Sequence, residues 1–128
     1  MPQKGSLSHK VLIVEDDPIA SKLLGALLRA WNHQVTVATT VHDGLAALGV
    51  GGVGGVGGVT HVILDLMLPD GTGIAVLNEL HRRGSPVRVA VVSGEKGTLL
   101  QEAAQFRPDL ILSKPINVNE LLSWLSKP

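Results

Sequence analysis

Four short apolar segments of the chain each lead into residues whose side chains can do chemistry. The residues at these four ends are Glu15, Asp16 and Asp17, then Asp65, Ser93 and Lys114. Carboxylates about 4 Å apart repel each other by about 4 kcal/mol per pair at an effective dielectric constant near 20. One lysine cannot neutralise three acids, so either a carboxyl group keeps its proton or a cation binds.

An all-oxygen site with few protein ligands suits Mg²⁺, which keeps several waters and bridges readily to phosphate oxygens. A carboxylate held beside Mg²⁺, a hydroxyl and a lysine can attack phosphorus and form an acyl phosphate. In this interpretation Asp65 attacks, while Mg²⁺, Lys114 and the Ser93 hydroxyl each hold one phosphoryl oxygen. Asp17 is set apart, because Pro18 at the first helical position makes Asp17 the natural helix N-cap.

The elements that must position these residues follow from the apolar pattern. Apolar runs predict strands at residues 11–14, 34–39, 62–66, 87–92 and 110–112. Helical spacing predicts helices that begin at or just after Pro18, Thr40, Thr72, Thr98 and Asn117, with Thr40, Thr98 and Asn117 as capping residues. Strands that alternate with helices indicate an α/β fold, a three-layer doubly wound domain with a five-stranded parallel sheet. Ligands of such sheets bind at the carboxyl ends of the strands.

Residues 49–59 read GVGGVGGVGGV, a repeat with a period of three. The repeat contains the spacing G-x-G-x-x-G, which is typical of dinucleotide sites when a strand precedes it and a helix follows it. Here a predicted helix precedes the glycines and a predicted strand follows them. We therefore interpret residues 49–59 as a connector without a cofactor.

Composition excludes several classes of function. The 128 residues include no cysteine, which excludes disulfides and thiolate metal sites. Eleven basic and eleven acidic residues leave no net charge, and the aromatic residues are two Trp and one Phe, so we expect no direct binding of nucleic acid. No apolar run approaches the roughly 20 residues that span a bilayer, so we expect a cytoplasmic protein without a membrane contact. The histidines show no ligand spacing, and we expect surface or loop positions for His9, His33, His42, His61 and His81.

Four sequence motifs, VLIVEDD, LDLMLPDGTG, VVSGE and SKP in this order, resemble the receiver domain of bacterial two-component response regulators. The resemblance covers residues 11–126 and leaves residues 1–10 as an N-terminal tail. It implies a flavodoxin-like sheet with the strand order 2-1-3-4-5. It also implies that Asp65 accepts a phosphoryl group from a histidine kinase or a phosphotransfer protein.

The resemblance implies a role for each candidate residue. The implied metal ligands are Asp16, Asp65, the main-chain oxygen of Met67, and Glu15, the last directly or through water. Ser93 and Lys114 match the switch hydroxyl and the phosphate-binding lysine of the family. The Lys114–Pro115 peptide bond is commonly cis in this family.

Phosphorylation adds about −1.5 to −2 charges and would bias a two-state surface. We expect this surface on the fourth helix, fifth strand and fifth helix, where it would bind a downstream protein or form a weak dimer of an otherwise monomeric chain. Ile111 stands where many receivers have an aromatic residue that moves with the switch hydroxyl. No further domain follows the last helix, so we expect the output to pass through a partner.

Two alternatives remain open from the sequence. A receiver-like scaffold with an idle switch would fit Ile111, although the complete set of acids, serine and lysine argues against it. A small phosphohydrolase with Asp65 as nucleophile, resembling the haloacid dehalogenase group, would need a second aspartate at the position of Met67. We expect no enzyme activity beyond self-phosphorylation and autodephosphorylation at Asp65.

Overall fold

The structure, a computed structural model, describes residues 8–49, 58–94 and 97–127. In chain order the elements are β1 (Lys10–Val14), α1 (Pro18–Ala30), β2 (Gln34–Ala38), α2 (Val41–Ala47), β3 (His61–Asp65), β4 (Met67–Leu68), β5 (Gly71–Thr72), α3 (Ile74–Arg82), β6 (Arg88–Ser93), α4 (Thr98–Gln105), β7 (Leu110–Ser113) and α5 (Val118–Leu125). Among these elements, no helix has the length and apolar character needed to cross a membrane.

The long strands form one parallel sheet with the order β2-β1-β3-β6-β7. Counting only these five strands, the order is 2-1-3-4-5, so the predicted fold class is confirmed. The two short strands β4 and β5 form a separate antiparallel hairpin, which the sequence pattern did not predict.

Apolar side chains on both faces of the sheet explain why helices cover both faces. In β1, Leu12 and Val14 belong to one buried cluster, whereas Val11 and Ile13 belong to the other, because side chains of a strand alternate between its faces. The first cluster includes Val76, Leu77 and Leu80 from α3 and Ala103 from α4. The second includes Leu28 from α1 and Leu121, Trp124 and Leu125 from α5. A strand buried on both faces is typical of parallel sheets in three-layer folds.

Three of the predicted helix caps are present. The Asp17 carboxylate accepts hydrogen bonds from the backbone N–H groups of Ile19 at 2.9 Å and Ala20 at 3.3 Å. Thr40 Oγ1 accepts from the backbone N–H of the third helical residue, and Asn117 Oδ1 does the same for α5. These bonds satisfy amide groups that have no partner inside their helix.

One predicted helix cap is wrong. Thr98 is the first residue of α4, and Gly97 takes the capping position with a positive φ of 87°, where no side-chain oxygen of the described residues bonds to the helix. The helix predicted just after Thr72 begins at Ile74, and Thr72 itself pairs with Met67 in the β4–β5 hairpin. Propensity patterns do not detect strands of two residues.

The predicted tail and connector lie partly outside the described residues. Within residues 1–10, β1 already begins at Lys10, because Lys10 pairs with Gln34 of β2 and the Gln34 N–H donates to the His9 carbonyl at 2.9 Å. The predicted tail is therefore too long at its carboxyl end. Residues 1–7 and 50–57 lie outside the described part of the chain, so the interpretation of the glycine repeat as a connector stays a prediction.

The prediction that all five histidines lie at the surface or in loops is wrong for His61; His33 lies in the loop between α1 and β2. His61 is the first residue of β3 and is buried, and His33 is also buried. The His9 ring lies between them, with ring centroids 4.1 Å from His61 and 5.4 Å from His33, and His61 meets the edge of Trp124 at 5.1 Å. The four rings form a cluster at the amino end of the sheet, which we call the histidine cluster.

Candidate functional site

The parallel register brings the four chemistry-bearing strand ends to one edge of the sheet. Asp65 ends β3 opposite Val92 of β6, and Ser93 ends β6 opposite Ser113 of β7. Glu15 directly follows β1, which pairs with β3 on its other side. The carboxyl edge of the sheet therefore collects these groups, as the sequence analysis expected.

Lys114 joins the two buried acids of this edge. Its Nζ atom donates a hydrogen bond to Glu15 Oε1 at 2.9 Å and to Asp65 Oδ2 at 2.8 Å. Glu15 and Asp65 are 7% and 6% exposed, whereas the Lys114 side chain is 35% exposed. The ammonium group thus reaches into the site from the solvent side and compensates two carboxylates at once.

The second oxygen of each buried carboxylate accepts a hydrogen bond from the main chain. The Asp17 N–H donates to Glu15 Oε2 at 3.2 Å, and the Met67 N–H donates to Asp65 Oδ1 at 3.1 Å. Both carboxylates are therefore held at two points, which is the requirement for burying a charged group. The contact with Asp65 also places the Met67 backbone beside the acidic groups.

One carboxylate oxygen each from Glu15, Asp16 and Asp65 lie within 4.8 Å of one another. We call these three residues the acidic cluster; in the described part of the chain it is the one grouping of this kind. Asp16 is exposed and the other two are buried, so the cluster opens to solvent on one side. Three carboxylates with access for water fit Mg²⁺, which takes oxygen ligands in octahedral geometry and retains several waters.

The charges of the site shift two pKa values upward. Burial, and in second place the neighbouring Asp65, raises the pKa of Glu15 above its ordinary value, although the hydrogen bond from Lys114 acts against this. Burial opposes the charged form of Lys114, but its hydrogen bonds to Asp65 and Glu15 outweigh this effect and raise its pKa. Lys114 therefore stays a cation at neutral pH.

Ser93 and its neighbours shape the rest of the site. Ser93 is buried at the end of β6, and its carbonyl accepts a hydrogen bond from the Lys114 N–H at 3.1 Å. Apart from the chain neighbours of Gly94, none of the described residues has an atom within 4 Å of the position where a Cβ on Gly94 would stand. The peptide bond between Lys114 and Pro115 is cis, as the resemblance implied.

A comparison with protein-family models decides the family. Residues 11–126 match the model of the response regulator receiver domain. The chain belongs to this family. A receiver domain of a response regulator is a signalling module, and the acidic cluster lies at the carboxyl edge of its sheet.

Curated relatives of this receiver are full-length response regulators. The KDP operon transcriptional regulatory protein KdpE of Escherichia coli is 34% identical over 116 residues, which are 90% of this chain and 48% of the relative. The sensory transduction protein RegX3 of Mycobacterium bovis is 33% identical over 113 residues, 88% of this chain and 47% of the relative. The receiver spans about half the length of the curated relatives that it matches.

Solved receiver structures share the fold. The CheY-like receiver domain protein of Methanospirillum hungatei has a TM-score of 0.79 at 23% identity, covering 91% of this chain and 90% of that one. The receiver domain of the Francisella response regulator 1452 has a TM-score of 0.77 at 22% identity, covering 91% and 93%. At these identities the likeness concerns the fold.

Two residues of the site were not singled out from the sequence. A Cβ on Gly73 would lie 2.6 Å from the Asp65 carbonyl oxygen, so only glycine allows the receiver backbone to pass this close to the acidic cluster. The Asp70 carboxylate accepts hydrogen bonds from the backbone N–H groups of Val41 and His42, at the start of α2. The run of turn residues in LPDGTG is the signal that could have found both.

Proposed function

We propose that this receiver accepts a phosphoryl group on Asp65 from a histidine kinase or a phosphotransfer protein, with Mg²⁺ as cofactor, and so switches a partner-binding surface. The observation that supports this most directly is the Lys114 ammonium group, 2.8 Å from Asp65 and 2.9 Å from Glu15, beside the exposed carboxylate of Asp16. The nucleophile Asp65, the cation Lys114 and the acidic cluster thus lie together at the carboxyl edge of the sheet.

In the reaction, a carboxylate oxygen of Asp65 attacks the phosphorus of the donor phosphohistidine. The new O–P bond forms as the P–N bond breaks, and the bonding electron pair leaves with the imidazole of the donor. Lys114 neutralises one phosphoryl oxygen and the Ser93 hydroxyl donates a hydrogen bond to another. The open space at Gly94 admits the incoming group.

The metal ligands in this proposal are Asp16, Asp65, the main-chain oxygen of Met67, and Glu15 directly or through water. Mg²⁺ bound there would supply positive charge that offsets the acidic cluster and the charge on the phosphoryl group. Asp16 is exposed, so it is the ligand that can adjust without moving the sheet.

An apolar groove next to the site supports a protein as the donor. A cavity of about 390 Å³ runs between α1 and the segment after β7, and Glu15 and Lys114 form part of its wall. Leu23 on α1, one of the residues that line it, is 68% exposed. An apolar surface of this kind, continuous with the phosphorylation site, suits a folded donor that presents its histidine to Asp65.

The switched surface in this proposal is the face of α4, β7 and α5. The Lys114 N–H bonds to the Ser93 carbonyl, so a change at the phosphoryl site reaches the ends of β6 and β7 directly. Ile111 on β7 and Val118 on α5 are each 41% exposed, which leaves apolar contacts for a downstream protein or a second copy. Two relatives are named as transcriptional regulatory proteins, which supports a cytoplasmic location and a downstream protein as the target of this surface.

The exposed Ile111 also favours a second candidate function, a scaffold with an idle switch. An aliphatic side chain at this position has no ring to rotate inward when the Ser93 hydroxyl moves. A scaffold would have no need to bind Mg²⁺ or to form an acyl phosphate, so both properties separate the two candidates.

The direct test is incubation with acetyl phosphate and Mg²⁺, followed by intact mass spectrometry. We expect an adduct of about 80 Da, the mass added by one phosphoryl group, and its absence when EDTA replaces Mg²⁺. Asp65→Asn should abolish the adduct, whereas Asp43→Asn, which changes an exposed carboxylate on α2, should retain it. An unlabelled wild type, or a labelled Asp65→Asn variant, contradicts the proposal.

A further inference from the structure

We infer that Asp70 is a positioning residue for the metal site, because its carboxylate fastens the β4–β5 hairpin, which carries Met67, to the first turn of α2. The inference rests on the proposed function, in which the main-chain oxygen of Met67 is a metal ligand. It concerns a residue that lies outside the acidic cluster and contacts neither Asp65 nor Lys114 in any described hydrogen bond.

The hairpin needs an external attachment. It consists of two strands of two residues each, with Met67 opposite Thr72 and Leu68 opposite Gly71. Even longer isolated hairpins are marginally stable in water. Met67 is 51% exposed, so burial of its side chain contributes little to holding this backbone in place.

The tip of the hairpin is attached to α2 through Asp70. Asp70 Oδ1 accepts a hydrogen bond from the Val41 N–H at 2.7 Å, and Oδ2 accepts one from the His42 N–H at 3.0 Å. A carboxylate at a helix N-terminus also interacts favourably with the helix dipole. The hydrogen bonds from His42 and then Val41 lower the pKa of Asp70, so this attachment is present throughout the neutral range.

The base of the hairpin is attached to the end of β3. The Met67 N–H donates to Asp65 Oδ1, and the Gly73 N–H donates to the Leu66 carbonyl at 2.9 Å. The backbone that bears the Met67 carbonyl therefore lies between two fixed points, the carboxylate of Asp65 and the first turn of α2. Without the attachment of Asp70 to α2, the Met67 carbonyl is free to move relative to the acidic cluster.

Thr40 provides a matched control, because its side chain caps the same helix and no described hydrogen bond joins it to the hairpin. Its Oγ1 accepts a hydrogen bond from the Asp43 N–H at 2.9 Å. Thr40→Ala removes one hydrogen bond from the first turn of α2, whereas Asp70→Ala removes two and also detaches the hairpin. The pair separates an effect on the metal site from an effect on helix stability.

The experiment is a calorimetric titration of the metal-free protein with Mg²⁺. We expect Asp70→Ala to weaken Mg²⁺ binding about tenfold, the lower end of what outer-shell substitutions cost metal sites. Asp70→Asn keeps one acceptor oxygen and should fall between Asp70→Ala and wild type. Thr40→Ala should bind Mg²⁺ as wild type does. In the metal-free proteins, amide hydrogen exchange at Met67 should be faster in Asp70→Ala and unchanged in Thr40→Ala.

Two outcomes overturn the inference: Asp70→Ala binds Mg²⁺ with wild-type affinity, or Thr40→Ala weakens binding as much as Asp70→Ala does. Failure of the proposed function looks different. A wild type that binds Mg²⁺ but forms no adduct with acetyl phosphate contradicts phosphorylation at Asp65 and leaves the comparison of the affinities valid. A wild type that binds no Mg²⁺ contradicts both.

Discussion

The two edges of the sheet solve the problem of buried polar groups in opposite ways. At the carboxyl edge, Glu15 and Asp65 are compensated by Lys114 and lie beside an opening to solvent. At the amino edge, the histidine cluster packs buried imidazoles against one another and against Trp124. The same strands, β1 and β3, connect the two edges. The difference shows that the buried carboxylates lie where a counter-charge and solvent are both within reach.

Within the histidine cluster, burial lowers the pKa values of His33 and His61 and so favours their neutral forms. His9 Nε2 donates to the Leu125 carbonyl at 2.8 Å, and His33 Nδ1 accepts from the His9 backbone N–H at 3.1 Å. His61 Nδ1 bonds to Thr60 Oγ1 at 2.8 Å, and its Nε2 atom has no hydrogen-bond partner in the described part of the chain. A proton added to His33 Nδ1 would face the His9 N–H donor. A proton added to His61 Nε2 would find no acceptor in the described part of the chain.

The largest effect on stability should come from breaking the compensation at the carboxyl edge. Lys114→Met leaves Glu15 and Asp65 buried without their shared cation. We expect a loss of about 3 kcal/mol in the free energy of unfolding without Mg²⁺, at the low end for a broken buried ion pair because the Lys114 side chain is 35% exposed. Urea denaturation at neutral pH measures this loss, and added Mg²⁺ should restore part of it by binding the folded state.

The control for this prediction is Lys22→Met, which removes an exposed lysine of α1. It should change the urea midpoint only slightly, because exposed charges contribute little to stability. Equal midpoints for Lys114→Met and Lys22→Met would mean that the two carboxylates of the site do not depend on their lysine.

The second-largest effect on stability should come from lowering the pH, which acts on His61 at the amino edge. Burial, then the neighbouring His9, lowers the pKa of His61 from 6.5 to about 4, with smaller contributions of the same sign from Arg88 and His33 and an opposing one from Asp109. The unfolded chain therefore binds the proton first as the pH falls. The stability that neutral His61 contributes is complete above pH 6.5 and is lost between 6.5 and about 4, roughly 2 kcal/mol of it by about pH 5.

His61→Phe keeps a ring against Trp124 but cannot titrate. Urea denaturation at about pH 7 and about pH 5 should therefore show a loss on acidification that is roughly 2 kcal/mol smaller in His61→Phe than in wild type. His42→Gln, at an exposed position on α2, should lose as much stability as wild type. If His61→Phe and wild type lose stability equally, the histidine cluster does not exclude protons as its geometry implies.

The sequence predicted the fold because the sheet depends on local apolar patterns. All five long strands were expected, and no end is displaced by more than one residue. The candidate site followed from one rule, that polar residues after apolar strands meet at the same edge, and the structure brings Glu15, Asp65 and Lys114 into contact there. The roles of these residues stay predictions.

Features that depend on contacts between distant residues were not predictable. The histidine cluster joins His9, His33, His61 and Trp124, whose proximity follows only from the finished sheet and from α5. The β4–β5 hairpin has too few residues for a periodic pattern, and its tip is held by α2, which precedes it by 28 and 29 positions in the chain. Both features required tertiary structure to be found.

The smallest predicted effect on stability distinguishes two adjacent acids at the carboxyl edge, Asp16 and Asp17. Asp17 caps α1 through bonds to Ile19 and Ala20, whereas Asp16 belongs to the acidic cluster. Asp17→Ala should cost about 1 kcal/mol of stability, the usual value of an N-cap, and should leave Mg²⁺ affinity within about twofold of wild type. Asp16→Ala should do the reverse, with an unchanged urea midpoint in metal-free buffer and Mg²⁺ affinity lowered by more than about tenfold. Because the residues are neighbours with the same carboxylate, a shared response to both substitutions would show that the cap and the metal site are one unit. Opposite responses would show that the carboxyl edge contains structural charge as well as functional charge.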